Sequence, residues 1–440
     1  MGHNQIRLKH KISWKTASAI VIANMIGTGV FTSLGFQLVD IKNTWSILLL
    51  WILGAVMAVC GALTYAELGT KLKRSGGEYH FLTQTYSPLL GYLSGWASLT
   101  IGFAAPIALA AIAAGSYTER YLGIDSKAIA VVLILLVSFV HTHDLRRSSI
   151  FQNITTSFKL LVILFFILVG FWEPGSITTA LDWSSGWKQE ILLPSFAVSL
   201  IYVTYSYSGW NAAAYIIDDI KDVNRNLPIA LLGGSILVGL LYVLLQVVFL
   251  KQAPLELLSG KIEIGQIVAT QIFGDVGGKI ISLLISIMLV SSISAMTWVG
   301  PRVTKAMADD YRLWSFLKKT NKNNIPSSAI GLQAIIAVIM VSTGTFDQIL
   351  TYSGFILQLF VALTVFGLFF IRKKQHIKGF KSPLFPIPQI VFSVISLWIL
   401  AFLIIEQPKE SLIGILILLI GIFTYYFDTE TINTNNPDPK

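Results

Sequence analysis

Charge is the scarcest property of this 440-residue chain. Only 12% of its residues are Asp, Glu, Lys or Arg, about half the soluble share, while 54% are hydrophobic and mean hydropathy is +0.70. A soluble surface on a chain this long needs more charge, and intrinsic disorder needs less hydrophobicity. Basic residues outnumber acidic ones by 32 to 23, a net charge of +9. The apolar runs are nonetheless too long for the core of a nucleic-acid binder, so no nucleic-acid partner is expected. Cysteine is almost absent. Cys60 stands alone in an apolar stretch, which excludes a disulfide framework and reads as a small buried hydrophobe. Processing signals are lacking too: no A-x-A site follows the first apolar run, and Ile6 stands where a myristoylation signal after Gly2 needs Ser or Thr. There is no Walker A, H-E-x-x-H, G-x-S-x-G or TVGYG segment, and the Gly278-Lys279 pair lacks the rest of a phosphate loop. No enzymatic activity, nucleotide drive, cofactor or metal is expected. The six histidines (His3, His10, His80, His141, His143 and His376) fall at termini or span ends without metal spacing, and read as solvated at the interface.

Long apolar runs fill the chain instead. A membrane-crossing helix needs about 20 mostly apolar residues. Twelve segments qualify, at about 14–40, 45–68, 88–118, 126–142, 150–172, 191–217, 228–250, 276–306, 326–343, 347–371, 384–405 and 411–427. The fourth is the weakest, with an apolar core only from Ala128 to Val140, broken by Ser138. The polar stretches between are short, so the chain reads as one all-α integral membrane domain. An even number of spans puts both termini on one side. With that side taken as cytoplasmic, 23 of the 32 basic residues fall inside and 8 outside, as the positive-inside rule requires. Arg7, Lys9, Lys322, Lys378 and Lys440 are among the 23. A multi-pass protein of the cell membrane, with both termini in the cytoplasm, is expected. Lys159 belongs to neither count.

Two spans are interrupted near their middles. Span 1 contains Ile26-Gly27-Thr28-Gly29, and span 6 contains Tyr205-Ser206-Tyr207-Ser208-Gly209-Trp210-Asn211. Glycine and β-branched residues weaken a helix. Broken backbone in a bilayer leaves N–H and C=O groups unpaired, at several kcal/mol each, and is tolerated where it lines a cavity. The N–H groups at a half-helix start suit a carboxylate. The C=O groups at a half-helix end suit an ammonium or a cation. Two such breaks facing each other make a site for a zwitterion, where one glycine pair alone is as readily explained by close helix packing.

The residues around these breaks resemble a family. Ile26-Gly27-Thr28-Gly29-Val30-Phe31 is similar to the IG-(S/T)-G-(I/V)-F signature of the amino acid–polyamine–organocation superfamily. The likeness continues in order through Tyr65-Ala66-Glu67-Leu68-Gly69, Arg74-Ser75-Gly76-Gly77-Glu78-Tyr79, Ser206-Tyr207-Ser208-Gly209-Trp210-Asn211 and Asn226-Leu227-Pro228. The nearest subgroup is the bacterial L-type amino acid transporters. The resemblance implies a leucine-transporter-type fold of twelve transmembrane helices, in two inverted five-helix repeats with helices 1 and 6 discontinuous. Residues 13–172 would form the first repeat, 191–371 the second and 384–427 the last two helices, between cytoplasmic tails at 1–12 and 428–440. It also implies a substrate site. The amides of Gly27, Thr28 and Gly29 would hold the carboxylate. The carbonyls of Met25, Tyr205 and Ser208 would hold the α-ammonium, with Ser206 beside them and Tyr205 as an aromatic gate.

Lys159 lies 12 residues past Arg147, or about 18 Å along a helix. That is too deep for snorkelling, and a charge at that depth costs about 2.5–3.5 kcal/mol on the mildest scale. It must face the interior and meet the freed carbonyls of span 1 or Ser291, Ser292 or Ser294 of span 8. In the family, a lysine in this segment replaces the sodium ion of sodium-coupled relatives. Two roles stay open: a strut joining spans 1 and 8, or a proton carrier. Glu67 reads as a surface or gate ion-pair partner, and Trp298 and Tyr352 read as packing aromatics before pocket residues. A neutral L-amino acid is the favoured substrate, because spans 1 and 6 offer no obvious carboxylate to meet a cationic side chain. The expectation is a sodium-independent secondary transporter working by proton-coupled symport or exchange. A polyamine or cationic amino acid exchanger is the alternative in the class; a channel or amino acid sensor on this scaffold is the alternative outside it. The loop from Tyr117 to Ser126 has no cysteine, so a disulfide-linked heavy chain is not expected.

Overall fold

The first expected span is a pair of helices, α1 (Trp14–Met25) and α2 (Gly29–Asp40). The computed structural model describes residues 11–143, 145–175, 185–321, 325–374 and 379–435. Gly2, His3, Arg7, Lys9, His10, Lys322, His376, Lys378 and Lys440 lie outside them. α3 (Thr44–Leu72) runs unbroken from an Asn43 cap, whose side chain accepts the Trp45 amide at 2.9 Å. Gly76 and Gly77, at φ 124° and 54°, turn the chain back into the short α4 (Glu78–Thr85). α5 (Pro88–Ala97) and α6 (Ala104–Leu122) share the third expected span, joined by a π-helical turn at Ser98–Gly102. α7 (Ser126–His141), α8 (Leu145–Trp172) and the four-residue α9 (Trp187–Glu190) follow.

The sixth expected span breaks too. α10 (Pro194–Ser206) starts on a proline, well placed where no intrahelical N–H is needed, and ends before a turn that leads into a 3-10 helix at Ala212–Asp219. Within that turn Gly209 has φ +97°, a backbone that only glycine adopts freely. Then come α11 (Val223–Gln252), α12 (Leu255–Leu258), α13 (Ile264–Asp310), α14 (Ser327–Thr343), α15 (Phe346–Lys374), α16 (Ile387–Glu406) and α17 (Pro408–Asn435). α13 is 47 residues long and changes direction at Gly274, at φ 70°.

Among the described residues, nine helical stretches are long and apolar enough to cross a membrane. α7 and α14, of 16 and 17 residues, are shorter apolar helices. The described residues form no strand, only an isolated bridge between Ile12 and Ile220. α11 packs against both α1 and α3, α13 against α6 and α8, and α2 against α10. The two interrupted stretches therefore face each other inside the bundle. At its rim, α17 leaves Leu412, Leu416, Leu419 and Phe423 exposed, as α7 leaves Leu135 and Phe139. Exposed apolar stripes of this kind fit lipid rather than water.

Candidate functional site

The breaks touch. A Cβ on Gly209 would lie 2.7 Å from the backbone C and O of Asn24, and one on Gly29 would collide with Ser206. Glycine at these two positions is what lets the interrupted backbones meet. α1 makes its last bond from Ile26 N–H to Ile22 O at 2.9 Å, with Ile26 turning to ψ 90°. The amides of Gly27, Thr28 and Gly29 thus stand at the start of α2, where a helix has no intrahelical acceptors for them. Met25, Gly27, Thr28, Gly29, Tyr205, Ser206 and Ser208 all line one small cavity.

The carbonyls of this cavity are partly engaged. Met25 O accepts from the Tyr242 hydroxyl at 2.7 Å, and Ile26 O from Lys159 Nζ at 2.8 Å. Tyr205 O accepts the Ser208 amide at 2.9 Å. Met25 O and Ile26 O each keep a second lone pair for a guest. The Tyr205 ring is buried, and its hydroxyl stands 3.4 Å from Thr28 Oγ1, bridging the two broken stretches.

One side of the cavity is sealed. Ser33 and Ser206 hydroxyls pair at 2.9 Å, and Ser206 also donates to Tyr202 O at 2.6 Å. The Tyr202 hydroxyl donates to Asp347 Oδ1 at 2.5 Å, while Phe36 stacks between the rings of Tyr202 and Phe346, 5.5 Å from each. On the other side a second cavity of about 1120 Å³, partly open to solvent, shares Asn24, Tyr205 and Ser208 with the first. It extends to Glu78, Asn211 and Tyr215.

Lys159 is fully buried in α8. Its ammonium donates to Ile26 O at the end of α1 and to Ser292 Oγ of α13, both at 2.8 Å. Ser292 also lines the smaller cavity. Ser291 does not share this role: its hydroxyl donates to Thr155 Oγ1 at 2.7 Å. Ser294 pairs with His141 Nε2 at 2.8 Å.

Several expectations need correction. His80 and His141 are buried, at 7% and 3% exposure, because α4 folds back under the bundle and α13 covers the end of α7. Burial, with the Arg74 charge adding to it, holds the His80 imidazole below its ordinary range. Glu67 is no surface group. It is fully buried, and its carboxylate binds Lys71 at 2.8 Å, Arg372 through Nε at 2.8 Å and Nη2 at 2.6 Å, and the Ser382 amide at 2.7 Å. Trp298 packs against Phe103, Val299 and Val303, and Tyr352 sits in the main core; neither lines the two cavities. A carboxylate does reach the larger cavity, but from α4 rather than from spans 1 or 6. Glu78 was visible only as part of the Gly76-Gly77-Glu78 phrase. Tyr242, the partner of Met25 O, had no local signal within the apolar run of α11.

Helix breaks that meet at a cavity inside the bundle, with an open vestibule on one side and a seal on the other, are the anatomy of a membrane permease. The model of the family described as "Amino acid permease" matches residues 12–436, and the chain belongs to this family. It is a multi-pass membrane permease of the amino acid–polyamine–organocation superfamily, not an enzyme. Among its relatives is the serine/threonine exchanger SteT of Bacillus subtilis (strain 168), 28% identical over 95% of this chain and 97% of that one. The b(0,+)-type amino acid transporter 1 of Mus musculus is 28% identical over 95% and 88% of the two chains. The human cystine/glutamate transporter is 26% identical over 97% and 86%.

Proposed function

We propose that this protein carries amino acids across the cell membrane by alternating access. Twelve helices would form two inverted five-helix repeats, residues 13–172 and 191–371, followed by helices at 384–427, with both tails, 1–12 and 428–440, in the cytoplasm. The observation that carries this reading is the pair of helix breaks whose amides and carbonyls line one cavity. The amides of Gly27, Thr28 and Gly29 bind the carboxylate, and the carbonyls of Met25, Tyr205 and Ser208 bind the α-ammonium, beside Ser206. Tyr205 closes over the substrate. Rocking of one repeat opens the vestibule and the sealed side in turn.

The Lys159 ammonium, between Ile26 O and Ser292 Oγ, supplies a fixed cation where sodium-coupled transporters hold a metal ion, so transport is sodium-independent. Proton-coupled symport and exchange both fit this arrangement, and the relative that is itself named an exchanger supports exchange. Neutral amino acids are the substrates of the break site itself. The protein works without a disulfide-linked heavy chain.

A thermal-shift screen of the purified protein against the common amino acids, followed by uptake into liposomes for the hits, tests this. Saturable uptake with slow turnover is expected. If no amino acid or related amine shifts the protein, the reading falls; conduction without saturation makes it a channel. Substrate-dependent proton uptake separates the roles of Lys159, since transport with neither proton flux nor pH dependence leaves it a strut.

A further inference from the structure

Glu78 is a buried carboxylate in a cavity that otherwise carries no charge. It is 4% exposed and lines the larger cavity. The Tyr65 hydroxyl and Asn211 Nδ2 donate to Oε1 at 2.7 and 2.5 Å, and the Tyr215 hydroxyl donates to Oε2 at 2.6 Å. All three donors are neutral. A carboxylate offers about four acceptor positions, so roughly one remains for a guest. Among the described residues no Lys, Arg or His forms an ion pair with Glu78, and none lines this cavity. A buried carboxylate with no cation beside it is electrostatically incomplete, and a cation that enters the cavity completes it.

Its position relative to the break site gives the cation a source. Asn211 is three residues past Ser208, whose carbonyl is assigned above to the α-ammonium. Three residues span at most about 11 Å, and Ser208, Asn211 and Glu78 all line the larger cavity, so both anchors face one space. Met57, Ala58, Gly102 and Phe103 supply apolar wall in the same cavity, which suits a methylene stem.

We propose that Glu78 is a subsite for an organic cation, the side-chain ammonium or guanidinium of a basic amino acid whose carboxylate and α-ammonium sit at the two helix breaks. The proposal rests on the transport reading and extends it from neutral to basic substrates. A basic guest donates an N–H to the open position and balances the carboxylate's charge. A neutral guest leaves Glu78 on its three donors, so both classes are accommodated.

Equilibrium binding to the purified full-length protein tests this, with lysine, its uncharged analogue norleucine, putrescine, and sodium and potassium chloride as probes. The unmodified protein is expected to bind lysine at least as tightly as norleucine, and more tightly than putrescine, which lacks the carboxylate. Glu78→Gln is expected to lower the lysine-to-norleucine affinity ratio at least tenfold, about 1.4 kcal/mol. Binding of norleucine with rejection of lysine overturns the proposal and leaves the transport reading standing. An unchanged ratio in Glu78→Gln overturns it too, including the case where both affinities fall together, since Glu78 is then only a clasp. A shift by putrescine or by the salts in place of lysine assigns the position to another cation and overturns the assignment to amino acids. If neither norleucine nor any other amino acid binds, it is the transport reading that has failed. Should Glu78→Gln not fold, the lysine–norleucine comparison on the unmodified protein decides alone.

Discussion

Glu67 and Glu78 stand eleven residues apart, and both are buried, at 0% and 4% exposure. Their surroundings differ in charge. Glu67 is held by the ammonium of Lys71, the guanidinium of Arg372 and a backbone amide from Ser382. The Arg372 guanidinium in turn lies 3.8 Å from the Phe385 ring centroid, so this cluster ties the end of α3 to α15 and the segment before α16. Glu78 has hydroxyls and an amide but no cation among the described residues. Among the described residues, Glu67 has four donors and two cations; Glu78 has three donors and no cation. The compensated ion lines neither of the two cavities and fastens three elements. An uncompensated one lines the vestibule, where a guest can supply what the fold withholds.

Stability separates the two most strongly. Breaking a buried ion cluster by removing one member strands the others, at about 3–5 kcal/mol. Glu67→Ala leaves Lys71 almost fully buried beside Arg372 and is expected to lower the apparent melting temperature of the detergent-purified protein by the largest margin. Glu78→Gln keeps a polar group among three neutral donors, so its stability cost is about 1 kcal/mol. Equal losses in the two variants would erase the distinction drawn between them.

Lys159 is another buried charge, and it resembles Glu78 rather than Glu67. Its two partners are a carbonyl and a hydroxyl. Lys159→Met removes an ion that has no counter-charge among the described residues and orphans one carbonyl, so the net change in stability is expected to stay below about 2 kcal/mol. Uptake is expected to fall below a tenth of the unmodified rate. Melting as early as Glu67→Ala would mark Lys159 as a fastening element instead.

The legible parts of this molecule were those whose signal is local. The break in the first span shows in Gly27-Thr28-Gly29, and the depth of Lys159 follows from counting residues along α8. The vestibule was not legible. Glu78 enters it because Gly76 and Gly77 take positive φ values and return α4 beneath the α10 break, and no periodicity in α4 reports that return. The Tyr242 hydroxyl meets Met25 O across 217 residues of sequence. His141 looked interfacial from its place at the end of α7, yet Ser294 of α13 reaches it. In each case the missing information was which distant helix covers a given side chain.

The smallest effect belongs to a third ionisable group of this region, two residues past Glu78. His80 is buried, with Arg74 nearby, and its imidazole is held below the usual histidine range. In the unfolded chain a histidine titrates near pH 6.5. As pH falls through that value, the unfolded state takes up the proton first, and the folded state follows only at lower pH. Stability therefore declines over that window and levels off once the folded state is protonated too. Other groups titrate in the same range, so the measurement is a difference: the melting temperature of the unmodified protein minus that of His80→Gln, between pH 8 and pH 5, values chosen to bracket about pH 6.5. The difference is expected to be flat at the alkaline end and to move toward the variant as the medium becomes acidic. A flat difference throughout would mean that α4 opens to water on its own, and Glu78 would then lose the burial that makes its missing counter-charge matter.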